Sequence, residues 1–298
     1  MAKMKAFVGV ARGPFLLLPV TLVAVGAAAA ASVNQFSGFR SAVALIGLVA
    51  LHAAVNALNE YSDFQRTGID LNTERTPFSG GSGTLPAGDL TARGALIFGL
   101  GCAAVGLAIG LWFVAVVGPV MWPILVLGAL SVLTYTDALA RIGLGELFAG
   151  LGLGALPVAG AALVQEGHLP TAALAAAVPA FCMTFNLLLL NEFPDEAADR
   201  AGGRRNLVLI FGRRGAAWIY AAAALAVPAS IGSAVAFGTL PPVALVAILP
   251  SLLLVKPLGW ALSDPREPVP HPALGANVAW NLATNTVLAI ALVASRWV

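Results

Sequence analysis

RSAVALIGLVALHAAVNALNEYSD, residues 40–63, carries no charge from Ser41 to Asn59 and then ends on two carboxylates, Glu60 and Asp63. An apolar helix needs about 20 residues to cross the hydrocarbon of a bilayer, and this stretch supplies them. The rest of the chain has the same character. Of its 298 residues 59% are hydrophobic and only 10% charged, where a soluble domain carries roughly a quarter. Mean hydropathy is +0.89. Apolar stretches of spanning length fall at 14–33, 40–59, 92–117, 119–136, 142–165, 171–191, 214–237, 240–260 and 273–295. The sequence therefore predicts an all-α, multi-pass membrane protein of about nine helices. The division at Gly118-Pro119 is the least constrained, and eight or ten crossings also fit. The longest polar interval, 60–91, is the size of one supersecondary unit, so residues 1–298 read as a single integral-membrane domain. Lys3, Lys5 and Arg12 precede an apolar run longer than the roughly 7–15 residues of a secretory signal, which makes that run a retained first helix.

Orientation follows from the basic residues. With a cytoplasmic N-terminus, Arg40 and Arg296 fall outside and every other Lys and Arg inside, a strong positive-inside bias. The expected location is the cell's inner membrane. The net charge of +2 gives no ground for a nucleic-acid partner. Carboxylates are free of the topological rule, yet only Glu166 falls outside. Something other than topology gathers them at the cytoplasmic face. Cys102 and Cys182 lie inside predicted helices without metal-site spacing and read as small core residues.

The carboxylates are concentrated in two related motifs, NEYSD at 59–63 and NEFPD at 191–195. At 3.6 residues per turn, His52, Asn56, Asn59 and Asp63 share one helix face, with Asp70 beyond the expected helix end at Gly68. Asn191, Asp195 and Asp199 form a second stripe, which Pro194 is expected to kink or restart. Like charges one turn apart repel, and a boundary carboxylate is costly to desolvate. A hard divalent cation would compensate, since Mg²⁺ takes carboxylate, amide and water oxygens and bridges to phosphates.

Asn59, Asp63 and Asp70 after the second helix, with Asp195 and Asp199 after the sixth, resemble the paired Asp-rich motifs of the UbiA superfamily of intramembrane prenyltransferases. NEYSDFQRTGID and TYTDALARIGLGELFAG look most like the branch that includes 1,4-dihydroxy-2-naphthoate polyprenyltransferases of menaquinone synthesis. The chain departs from that branch at Glu60, usually Asp. It has Thr67 where the 4-hydroxybenzoate enzymes have Asp, and Arg141 alone before Gly143. The resemblance implies helices around a central cavity open to the cytoplasmic face, and Mg²⁺ held by Asn59, Asp63, Asp70, Asp195 and Asp199. It implies transfer of a polyprenyl group from its diphosphate to an aromatic acceptor, 1,4-dihydroxy-2-naphthoate or a similar ring. Other superfamily acceptors stay open, namely 4-hydroxybenzoate, homogentisate, chlorophyll, haem O and lipid types. Asn59, Asp63, Asp195, Asp199 and Tyr135 are then the catalytic candidates. Asn56, Asn191, Glu146 and the arginines Arg66, Arg141, Arg204 and Arg205 are candidates to bind substrate, Arg141 foremost. Positive-inside placement alone would also put these arginines there, and an interfacial Tyr135 or a helix-entry Glu146 needs no substrate.

Three weaker signals complete the reading. The Gly- and Ser-rich loop TERTPFSGGSGTLPAG, 73–88, is expected to cap the cavity. Asn277, Asn281 and Asn285 recur every four residues and should bind the last helix to the bundle. An ion-coupled transporter is the competing class, but it would place carboxylates near the midplane rather than at one face. Oligomeric state is not legible.

Overall fold

The computed structural model describes residues 2–296, and every regular element among them is helical. Among the described residues nine helices are long and apolar enough to cross a membrane: α1 (Gly13–Ala31), α2 (Gly38–Thr67), α3 (Ala92–Val117), α4 (Pro119–Ile142), α5 (Gly145–Glu166), α6 (Thr171–Ala201), α7 (Leu207–Ala236), α8 (Pro242–Ser263) and α9 (His271–Ala294). Their number and order are those expected from the sequence. The uncharged hairpin turns at Gly118, whose φ of 90° and ψ of −175° suit a residue without Cβ. Pro119 then opens α4 where no N–H is needed.

Helix ends correct the sequence reading. Helix α6 continues to Ala201 instead of stopping near Asn191, and it runs through both Pro179 and Pro194. Pro194 therefore neither ends nor restarts it, and the whole second motif is helical. Helix α7 begins at Leu207, where the Asn206 side chain caps Leu209 N at 2.9 Å, and its interruption is at Gly212, with φ 70° and ψ 164°. Apolar composition marks the hydrocarbon boundary, whereas a helix extends as long as its backbone ladder is satisfied. Helix α8 starts as 3₁₀ turns over Pro242–Leu254 before becoming α-helical at Val255–Ser263.

Small residues let the helices approach. Val25, Ala28 and Ala29 of α1 pack against Val158 and Ala162 of α5 in the principal core, with alanines of α6 and α7 beside them. A Cβ at Gly26 would overlap the carbonyl oxygen of Val158. In a bilayer such packing replaces the hydrophobic effect as the source of association. Asn277 of α9 works as expected: its Oδ1 accepts from Tyr220 Oη of α7 at 3.0 Å, and its Nδ2 donates to the carbonyl of Asn186 in α6 at 3.1 Å. Asn285 donates to Asn281 Oδ1 at 2.8 Å within α9 itself. Helix α2 packs chiefly on α3, and α6 on α7. The space between α2 and α6 is where the two acidic motifs meet.

Candidate active site

Helix α2 ends in a π-helical turn, Asp63–Thr67, closed by Gly68 at φ 70°. A further π-helical turn, Tyr135–Leu139, lies in α4. Such turns shift the register of the ladder and turn side chains out of their stripe. Here they direct Asp63 and Tyr135 into one cavity, which Asn56, Asn59, Glu60 and Asp70 line from the α2 side. Asn191, Glu192, Asp195 and Asp199 of α6 line it from the other. Motifs remote in sequence thus converge.

Internal donors hold the carboxylates. Arg204 Nη2 donates to Asp63 Oδ1 and Oδ2 at 2.5 and 2.7 Å, and its Nη1 to Asp199 Oδ1 at 3.1 Å. Asn206 Nδ2 donates to Asp199 Oδ2 at 2.8 Å. Asp195 accepts from Thr73 Oγ1 at 3.1 Å and from Gly80 N at 3.3 Å. Glu60 accepts from Ser82 N at 2.7 Å, Ser82 Oγ at 2.8 Å and Arg12 Nε at 3.2 Å. Arg12 Nη2 also donates to Asn59 Oδ1 at 3.3 Å. The 73–88 loop lies against this cavity, as expected of a cap. Its Gly81, at φ 74°, would push a Cβ to 2.9 Å from Asp70 Oδ1 and 3.3 Å from Glu60 Oε1, so only glycine fits there.

The arginines separate sharply. Arg204 and Arg12 line the cavity; Arg66, Arg141 and Arg205 do not. Gly203, at φ 77°, folds the chain back so that Arg204 N donates to Asp199 O at 2.9 Å. The next residue is thereby directed away, and Arg205 N donates to Ala140 O at 2.9 Å while its side chain is exposed. Arg66 pairs with Asp137 outside the cavity and lies 5.5 Å from the Tyr61 ring centroid. Arg141 is exposed. Glu146 is buried but outside the lining, and its Oε1 accepts from Leu207 N at 2.5 Å, capping α7.

Sequence reasoning passed over Arg12, Glu60 and Glu192 as site residues. Arg12 counted only toward topology, yet it adopts φ 52°, ψ 57°, a strained conformation for a non-glycine residue, while its side chain reaches Glu60 and Asn59. The sole signal was its isolation between apolar segments. Outside the spans, burial raises the pKa of the Asp70 carboxyl against the opposing hydrogen bond from Arg75. Burial lowers that of Arg204, but the charges of Asp63 and Asp199 outweigh it and raise it overall.

Six carboxylates and two guanidiniums line the cavity. Buried Asp70 Oδ2 and Glu192 Oε2 have no hydrogen-bond partner. This excess of hard oxygen donors suits a divalent cation, although no three Asp, Glu, His or Cys among the described residues are arranged to hold one as they stand. A second, apolar cavity of about 350 Å³ is lined from α2, α3, α4 and α5 by Gly47, Leu51, Gly106, Gly110, Val132 and Gly152 among others.

Comparisons with known proteins agree with this architecture. Residues 17–282 match the model of the UbiA prenyltransferase family. The digeranylgeranylglyceryl phosphate synthase of Natronomonas pharaonis is 28% identical over 266 residues, 86% of this chain and 84% of that protein. The 1,4-dihydroxy-2-naphthoate octaprenyltransferase of Bacillus subtilis is 28% identical over 187 residues, 58% of this chain and 55% of its own. A UbiA homologue from Archaeoglobus fulgidus bound to GPP and Mg²⁺ superposes with a TM-score of 0.65 at 14% identity, over 97% of this chain and 99% of that one. The chain belongs to the UbiA prenyltransferase family.

Proposed function

We propose that this chain transfers a polyprenyl group from an allylic polyprenyl diphosphate to an aromatic quinone precursor, such as 1,4-dihydroxy-2-naphthoate, with Mg²⁺, at the cytoplasmic face of the inner membrane. One observation carries the reading: the carboxylates of α2 and α6 line a polar cavity, and α2, α4 and α5, which also line that cavity, line an apolar chamber as well, so that the two suit the head and the tail of one substrate. The A. fulgidus homologue, bound to GPP and Mg²⁺, supports both ligands. Asn59, Asp63, Asp70, Asp195 and Asp199 would hold the metal, and Glu60 lies among them.

Bound Mg²⁺ would act as a Lewis acid on the charge that develops on the leaving diphosphate. Arg12 and Arg204 bind the phosphate oxygens through charge-assisted hydrogen bonds, while Asn56 and Asn191 add amide contacts below them. When the allylic carbon–oxygen bond breaks, its electron pair leaves with the diphosphate. Tyr135, Phe15 and Phe78, all in the lining, present π faces to the allylic cation. The acceptor ring carbon forms the new bond and loses a proton, which the departing diphosphate takes.

A second reading, a glyceryl phosphate acceptor, is favoured by the long match to the N. pharaonis synthase. Against it, Arg12 and Arg204 are the guanidiniums that line the cavity, and the diphosphate already needs both. Purified protein, Mg²⁺ and an allylic diphosphate should release pyrophosphate when an acceptor is added, and a mass-spectrometric screen of aromatic and glyceryl phosphate acceptors separates the two readings. Asp63→Asn and Asp195→Asn should each abolish release. Full activity in EDTA or in either variant would end the proposal.

A further inference from the structure

Of the carboxylates gathered for a metal, Asp70 keeps one oxygen without an internal partner, its other being held by Arg75; the rest of the α2–α6 cluster named next is engaged by the chain itself. Asp63, Asp199, Asp195 and Glu60 have both oxygens occupied by internal donors. For Glu60 and Asp195 most of those donors are neutral hydroxyls and backbone amides of the loop. Between Asp63 and Asp199 the donor is a cation. Arg204 reaches across 141 residues of sequence to Asp63 and joins one acidic motif to the other with the two arms of a single guanidinium. Its side chain is 17% exposed, against 50% for Arg66 and 66% for Arg200.

We propose that Arg204 is a built-in counter-ion of the two acidic motifs, and that it yields Asp63 and Asp199 to a divalent cation only when a diphosphate arrives to receive its guanidinium. This rests on the prenyl-diphosphate reading above. Three observations lead to it. Asp63 binds a cation more weakly while a guanidinium nitrogen lies 2.5 and 2.7 Å from its two oxygens, because part of its negative charge is already neutralised and the two positive charges repel. Withdrawing Arg204 without a new anionic partner would leave a charge unpaired in a buried site, which is strongly unfavourable. A diphosphate offers the paired oxygens that a guanidinium fork matches. Cation uptake is thereby conditional on the substrate head group, and Arg204 acts as a positioning residue that keeps the α2 and α6 carboxylates facing one another.

The test uses full-length protein in lipid nanodiscs and Mn²⁺ as the probe, its free concentration followed by electron paramagnetic resonance. The wild type should bind Mn²⁺ at least tenfold more weakly alone than with geranyl diphosphate. Arg204→Met, which keeps an unbranched side chain but no charge, should bind Mn²⁺ alone at least tenfold more tightly than the wild type does, and geranyl diphosphate more weakly. Arg204→Met with unchanged or weaker affinity for Mn²⁺ alone would overturn the proposal. Should that variant fail to fold, equal Mn²⁺ affinity of the wild type with and without geranyl diphosphate overturns it as well. If the wild type takes up no Mn²⁺ even with geranyl diphosphate, the functional reading beneath the proposal fails, and the proposal with it.

Discussion

Asn277→Leu tests how the last helix is held to the bundle. Asn277, Asn186 and Tyr220 are 1%, 0% and 0% exposed, and they link three helices in a closed set, because Asn186 Nδ2 also donates to the carbonyl of Tyr220 at 2.9 Å. Leucine has nearly the same shape as asparagine but leaves Tyr220 Oη without a partner and removes the second bond to the carbonyl of Asn186, which keeps its place in the α6 ladder. Interhelical hydrogen bonds in membranes are worth about 0.6 kcal/mol on average and at most about 1.7, and each orphaned buried group adds roughly 1–3 kcal/mol. Relief of some of this by local rearrangement brings the expected loss to about 2–4 kcal/mol. Tyr220→Phe removes its own hydroxyl and orphans only Asn277 Oδ1, so it should cost about 1–2 kcal/mol. The double variant should then show a coupling energy of roughly 0.6–1.7 kcal/mol, the worth of the shared hydrogen bond. Reversible unfolding in mixed micelles measures all three. A coupling indistinguishable from zero, or Asn277→Leu as stable as the wild type, would refute the account of α9 as hydrogen-bonded into place.

Other expectations concern the site. Arg12→Ala should raise the KM for the allylic diphosphate about 10- to 100-fold, the loss of one charge-assisted contact of about 1.5–3 kcal/mol, whereas Arg141→Ala, exposed and outside the cavity, should leave kcat/KM within about threefold; steady-state kinetics compares them directly. Gly110→Leu should cut kcat/KM for geranylgeranyl diphosphate at least tenfold while sparing geranyl diphosphate, because a Cβ there already comes within 2.5 Å of Leu125 Cδ1 and the added side chain fills the apolar chamber. Asp70 sets a pH effect. Its folded pKa is raised mainly by burial, so the folded state binds the extra proton, and without metal this group's contribution to stability falls as pH rises from the ordinary carboxylate range, about 4, to the raised value. Asp70→Asn should flatten that decline in metal-free unfolding measured between pH 4 and 7.

Residues 40–63 and their partners at 191–195 carried most of the fold, because an uncharged stretch of spanning length has few alternatives and a repeated acidic motif has few uses. The convergence of Asp63 with Asp199 followed from the same pattern. What composition could not convey was direction. Arg204 and Arg205 are neighbours of one chemical type, and only the Gly203 turn decides that the first enters the cavity and the second does not. Arg12 was likewise hidden, since a basic residue beside a span has a topological explanation ready. The ends of α6 and α7 were misplaced for a related reason: Glu192, Pro194 and Arg213 look like loop, yet α6 and α7 retain them by satisfying their backbone outside the hydrocarbon.

The unbroken course of α6 through Pro194 has a mechanical consequence. Asn191, Asp195 and Asp199 ride on one 31-residue rod, so their mutual spacing is fixed by helical geometry. Asp63 opens a π-helical turn and Asp70 follows the left-handed Gly68 that closes it, and their separation can adjust. The site is built like a vice with one fixed jaw and one sliding jaw, and accommodation of different ions or head groups falls to the α2 side.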